Sequence, residues 1–254
     1  MSKIVSFSLV ALMALSLASC GDDKKTGTPA PTQTPTAPSS STPTAPADPT
    51  TTPSTGGQPV ERTKAQLTKA LLVLADLPSG LSVVPDDPSD ASAKPFSSKD
   101  AKCKTLVKYL NADVAPGSTV SVSRSFSAGQ EGPDIDYGLD AMGDAKKVLA
   151  LQTAYKAAVN SCKKVTLKVS GQGTSSMVVE EISAPKFGEH PFAFRLTGIS
   201  GPQEGGEATA AITGVNDVIL SVFIYAGAPG ELDGATKLAV DKAKKVLGGP
   251  KTGT

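Results

Sequence analysis

Between Gly21 and Pro59 the chain has no Leu, Ile, Val, Phe, Met, Tyr or Trp. A stretch without such side chains has nothing to bury against the entropy of ordering its backbone, so it cannot form a core of its own. From Thr26 to Pro59 it is almost entirely Thr, Pro, Ala, Ser and Gly, with nine prolines. Proline at that density favours extended polyproline II at ~3.1 Å per residue, which gives the segment a reach on the order of 120 Å. The Thr/Ser/Pro mixture suits an O-glycosylated stalk or an unmodified tether. The void divides the chain into a short N-terminal piece and one long C-terminal piece.

The N-terminal piece reads as an address. Lys3 gives a positive start, and Ile4–Leu17 is uncharged and mostly apolar. That run is shorter than the ~20 residues a membrane-spanning helix needs and matches the apolar region of a signal peptide. It ends in Leu17-Ala18-Ser19-Cys20-Gly21, which resembles the lipobox of bacterial prolipoproteins. The resemblance implies cleavage before Cys20, a diacylglyceryl group on its Sγ, and a membrane partner through that lipid anchor on the extracytoplasmic face. Two acyl chains are enough for stable anchoring, at ~0.8 kcal/mol per buried CH₂. A transmembrane anchor or a plain secretory signal containing a cysteine is the alternative. The expected organisation is therefore signal peptide 1–19, lipidated Cys20 with a disordered stalk to 59, a folded domain 60–249 and a disordered tail 250–254.

In the folded domain 21 basic side chains face 21 acidic ones. That balance leaves no electrostatic footprint for nucleic acid, and with no tryptophan and few other aromatics there are few platforms for stacking bases. About 190 residues suffice for one core that buries roughly 70% of the unfolded surface.

The patterning starts with an amphipathic helix whose Leu67, Leu71 and Leu74 recur at helical spacing until Pro78 and Gly80 stop it. A short extended piece follows at Leu81–Val84. A second helix is expected over Ser98–Leu110, capped by Ser97 or Ser98. After Pro116-Gly117 the period changes to two, predicting strands through Val120–Phe126 and through Ile135, Tyr137 and Leu139, which alternate with Asp134, Asp136 and Asp140. A helix over Asp144–Ser161 turns Val148, Leu151, Tyr155, Ala158 and Val159 inward. Strands are expected at Val165–Val169, Met177–Ile182, Phe192–Ile199, Ala208–Val215 and Val218–Tyr225. A last helix, Leu232–Leu247, would bury Leu232, Leu238, Ala239, Val246 and Leu247. Short links rich in glycine join antiparallel neighbours. Together these predict an α+β fold, mainly antiparallel sheet with helices packed on one face.

With Cys20 lipidated, Cys103 and Cys162 remain. Export into an oxidising space predicts a Cys103–Cys162 disulfide between the second and third helices. Two buried thiols or a metal pair are the alternatives; metal is disfavoured by the absence of Cys-x-x-Cys and of a second histidine.

Several of these elements form one set. They are the early helix running into Ala75-Asp76-Leu77-Pro78-Ser79-Gly80-Leu81, the helical Cys103, and Cys162 after Ala157-Ala158-Val159-Asn160. Phe194-Arg195-Leu196-Thr197-Gly198, the strand Asn216-Asp217-Val218-Ile219-Leu220-Ser221-Val222 and the amphipathic C-terminal helix complete it. The set resembles the PknH-like family of extracellular sensor domains, found in actinobacterial Ser/Thr kinases and free lipoproteins. The resemblance covers most of residues 60–249 and implies a sheet with packed helices, a cleft and a ligand-sensing role. The chain departs from the kinase's domain in offering one disulfide rather than two and in matching no catalytic signature that could be carried over.

Sites for chemistry are few. His190 is the lone imidazole, precedes Pro191 in an expected turn, and has no Gly-x-Ser-x-Gly partner motif. Asp134-x-Asp136-x-Gly138-x-Asp140 misses the calcium-loop pattern because glycine falls one place early and the twelfth position is Ala145; alternation makes these acids the wet face of a strand. Arg195 interrupts an apolar strand on the face opposite Phe192, Phe194 and Leu196. There it could clamp an anionic ligand if that face lines a cleft, or stand exposed on the sheet. Glu131 and Asp134 could join Arg124 at a polar cleft. The candidate ligand contacts are Arg195, Arg124, Asp134 and Asp136, with no cofactor, metal or nucleic acid expected. The expected function is a surface lipoprotein whose domain binds or senses a small ligand or an envelope component. An envelope scaffold or a carboxylate-dependent hydrolase is the alternative.

Overall fold

The computed structural model describes residues 60–85, 94–129 and 132–248. The signal segment, Cys20, the stalk, the 86–90 acidic loop, Glu131 and the tail lie outside the described residues.

The chain enters through a buried ion pair. Arg62 Nη2 donates to Asp217 Oδ1 at 2.6 Å and Nε to Oδ2 at 3.1 Å, while Nη1 reaches the Leu247 carbonyl at 3.3 Å. Helix α1 (Lys64–Ala70) opens with a reciprocal cap: Thr63 Oγ1 accepts from the Gln66 amide, and Gln66 Oε1 accepts from the Thr63 amide. The helix does not run on to Pro78 as its leucines suggest. Leu71 and Leu72 are both buried, which one helical face cannot arrange alongside Leu67 and Ala70. The chain therefore turns out at Leu71 and re-forms a 3₁₀ turn at Leu74–Asp76, where Asp76 accepts from the Val73 amide and pairs with Lys242.

Strand β1 (Ser82–Val84) and the two-residue β2 (Phe96–Ser97) precede a 3₁₀ turn at Ala101–Cys103 and helix α2 (Lys104–Leu110). The cap here is Asp100, which accepts from the Lys102 amide, rather than Ser97 or Ser98; Ser97 is committed to β2. Next come β3 (Val120–Ser127), β4 (Asp134–Ala141) and α3 (Ala145–Ser161), capped by Asp144 as expected. The meander β5 (Lys164–Val169), β6 (Gly173–Ile182), β7 (Glu189–Ser200), β8 (Glu207–Val215) and β9 (Val218–Tyr225) leads to α4 (Glu231–Leu247).

All strands join one nine-stranded antiparallel sheet in the order β1-β3-β4-β9-β8-β7-β6-β5-β2. The α+β class is as the sequence predicts. The helices, however, divide between the two faces. On β9, Val218, Leu220, Val222 and Ile224 join the core under α1 and α4, while Ile219 and Phe223 turn to the core under α2 and α3. A strand that is apolar at nearly every position, as Val218–Tyr225 is, has both faces covered.

Helix α4 also presents a different face from the one expected. Ala235, Ala239, Ala243, Val240 and Leu247 are buried, whereas Leu238 and Val246 stand exposed. Small residues let the helix axis approach the sheet closely and leave the larger ones at its flanks. Cys103 and Cys162 form the predicted disulfide, tying the turn before α2 to the end of α3. Both cysteines are fully buried.

Candidate binding cleft

On the face carrying α2 and α3, the helices cover β5–β8 and leave a cleft against β9 and β4. Its wall is the segment after α2, through Val114, Ala115 and Pro116; its floor includes Phe194, Ile212 and Phe223. The enclosed space is about 80 Å³. Tyr109 of α2 and Tyr155 of α3 stack with ring centroids 4.8 Å apart, and Tyr155 also lies 5.5 Å from Phe192 and 5.8 Å from Phe194. Burial, with Tyr109 alongside, pushes the Tyr155 phenol well above its usual range, so it stays a neutral hydroxyl.

The polar groups of the cleft are Gln152, Asp136 and Ser221. Gln152 occupies an inward position of α3, one turn from Val148. Its Nε2 donates to the Glu189 and His190 carbonyls at 2.9 and 3.0 Å. With the amide so oriented, Oε1 is buried and has no partner among the described residues.

The wall is held at both ends. Asn111 exchanges two hydrogen bonds with the Phe96 backbone, at 2.9 and 2.7 Å. Asp140 Oδ1 accepts from the Ala115 amide at 3.0 Å and from Ser121 Oγ at 2.5 Å. Asp140 is only 4% exposed, and burial pushes its carboxyl above the ordinary 3.8 even though the Ser121 and Ala115 hydrogen bonds oppose the shift.

The four residues singled out as ligand contacts do not form one site. Asp136 lines the cleft. Asp134 shares its face two positions along; it is buried, its Oδ1 has no partner among the described residues, and burial raises its carboxyl above the ordinary value. The alternating acids of β4 are thus not a wet face: Asp134 and Asp140 are buried and Asp136 is half-buried, on the side of the sheet that α2 and α3 cover. Arg124 and Arg195 point from the opposite face. Arg124 Nη1 donates to the Leu72 carbonyl at 2.6 Å and so supports the chain leaving α1. Arg195, with its side chain 35% exposed, sits between Glu180 at 2.8 Å and Glu207 at 3.4 Å on the sheet surface. His190 lies exposed at an irregular stretch of β7, with φ of 48°.

Sequence reasoning missed Gln152, the Tyr109–Tyr155 stack and Asp140. The one available signal was a glutamine at an inward position of an apolar helical stripe. Among the described residues no group of three or more acidic, His or Cys side chains is placed to hold a metal, and no helix is long and apolar enough to cross a membrane.

The fold and the cleft together define an α+β domain with a single antiparallel sheet, covered by helices on both faces and open beside β4 and β9. Among solved structures, the extracellular domain of PknH from Mycobacterium tuberculosis has a similar fold. The TM-score is 0.53 at 18% identity, and the match covers 76% of this chain and 100% of that one. At that identity the likeness is one of fold. No protein-family model and no curated protein matches the chain.

Proposed function

We propose that the chain is an exported lipoprotein, held at a membrane through Cys20, whose domain binds or senses a small ligand or an envelope component in the cleft under α2 and α3. The observation that carries the binding half is Gln152: a buried amide oxygen without a partner among the described residues, beside stacked tyrosines, is an acceptor that a ligand donor would satisfy. A space of about 80 Å³ suits one ring or short branch of a larger molecule lying along the cleft rather than a whole drug-sized ligand. Export is supported by the lipobox-like segment, by a buried disulfide of the kind that persists in oxidising compartments, and by a fold shared with an extracellular domain.

A second reading is docking of an envelope protein on the same rim. Val114, half exposed beside the cleft, favours it. Native mass spectrometry of protein gently extracted from its own envelope tests both. A small-molecule adduct that survives on the wild type and is lost in Gln152→Leu supports ligand binding. No adduct on the wild type, or one retained unchanged by the variant, contradicts the cleft assignment.

A further inference from the structure

A second cavity lies on the opposite face of the sheet. It holds about 330 Å³ between the segment after α1 (Leu77, Leu81), β4 (Ile135, Tyr137) and the first turns of α4 (Glu231, Gly234). The cavity is half open to the surface, mostly apolar in its lining, and has room for an alkyl chain.

Two independent features mark it as more than a packing gap. Tyr137 is 3% exposed, yet its hydroxyl has no hydrogen-bond partner among the described residues. Its ring is fixed edge-on against Phe126, with centroids 5.9 Å apart. A buried phenol normally finds a partner. The other feature is Gly234, inside a 17-residue helix, where glycine is among the least favourable residues. Nothing in the packing requires it: a methyl group built there meets no atom within 4 Å. Gly234 is itself exposed, at the rim of the cavity, so a larger residue there would improve the helix and narrow the mouth, and the sequence leaves it open.

The charge at the site narrows the ligand. Glu231 lines the same cavity, accepts from the Ala228 amide at 2.8 Å, and its negative charge, added to burial, pushes the Tyr137 phenol upward. A hydroxyl donor and a carboxylate side by side accept a neutral or cationic head and repel an anionic one.

We propose that this cavity is a second binding site, distinct from the aromatic cleft, for a slender alkyl ligand whose hydroxyl or ammonium end meets Tyr137 and Glu231. The test titrates the folded domain with three probes that differ only at the head, octan-1-ol, octylamine and octanoate, read by calorimetry and thermal melting. Octanol and octylamine bind and raise the melting midpoint, while octanoate binds at least about tenfold more weakly. Gly234→Leu narrows the mouth of the cavity and weakens binding about tenfold or more with no loss of the unliganded midpoint. Tyr137→Phe keeps or raises the unliganded midpoint yet weakens octanol binding about fivefold or more, a split that a purely structural tyrosine would not produce. Failure of all three probes to bind, octanoate binding as tightly as octanol, or unchanged binding to Gly234→Leu would overturn the assignment.

Discussion

Asp140 shows how one carboxyl sets the shape of the cleft. Its Oδ1 receives both the Ala115 amide and the Ser121 hydroxyl, so one end of the segment that walls the aromatic pocket hangs on a single buried oxygen. Asp140→Ala leaves the Ala115 amide without that acceptor and is expected to cost ~1–3 kcal/mol. Asp140→Asn keeps an oxygen for both donors and removes the buried charge, so it is expected to match or exceed the wild type at neutral pH. The pH dependence follows from burial raising the folded-state carboxyl above 3.8. Between the two values the native state holds more protons than the unfolded one, so this contribution is full below 3.8 and is lost as pH rises through the folded value. Urea melts from pH 3 upward check it: Asp140→Asn should lose part of the decline with rising pH that the wild type shows, and an identical slope in both proteins would contradict the role given to Asp140.

Most of the strand and helix content was legible in the sequence because periodicity is local. Val120–Phe126 and Val218–Tyr225 announce strands, and Asp144 marks the start of α3. What was not legible is set by partners distant in sequence. The two residues of β2 exist only because Phe96 and Ser97 pair with Leu167 and Thr166. The break after α1 depends on burying both Leu71 and Leu72 in a core built with β3, β4, β9 and α4, far along the chain. Which face each helix covers depends on β4 docking beside β9, and no local pattern encodes that. The site was harder still. Arg195 and Arg124 stood out by residue type, yet the sheet sets both on the face away from Asp136 and the cleft.

The disulfide belongs to this scale as well, since it joins the turn before α2 to the end of α3, the two helices that bring Tyr109 against Tyr155. In the chain-entropy model, closing a loop of that size contributes ~4 kcal/mol. Replacing both cysteines with serine should lower stability by about that amount in chemical denaturation. Mass mapping without reductant should find no alkylatable thiol at Cys103 or Cys162 in the native protein.

For the molecule as a whole, the chain passes from the apolar-free segment into the domain at Val60. There the Val60 amide bonds to the Gly143 carbonyl at 2.8 Å, and Arg62 grips Asp217 and the last carbonyl of α4. The pair is well out of solvent, with side-chain exposures of 12% and 3%. Arg62→Ala strands the Asp217 carboxylate and should destabilise the domain by ~3–5 kcal/mol. A thermal melt indistinguishable from the wild type would show that the chain is not anchored there.

Export and lipid attachment at Cys20 are the central proposal for this chain. On the proposed reading, export would place the disulfide in an oxidising space and lipid attachment would hold the domain at a membrane. The most direct measurement is the intact mass of the mature protein extracted from membranes, beside a Cys20→Ser variant. The account predicts a wild-type chain that begins at Cys20 and carries the mass of a diacylglyceryl thioether, and a variant that is released or left unprocessed. A membrane-bound variant, or a mature wild-type chain still beginning at Met1, would contradict it.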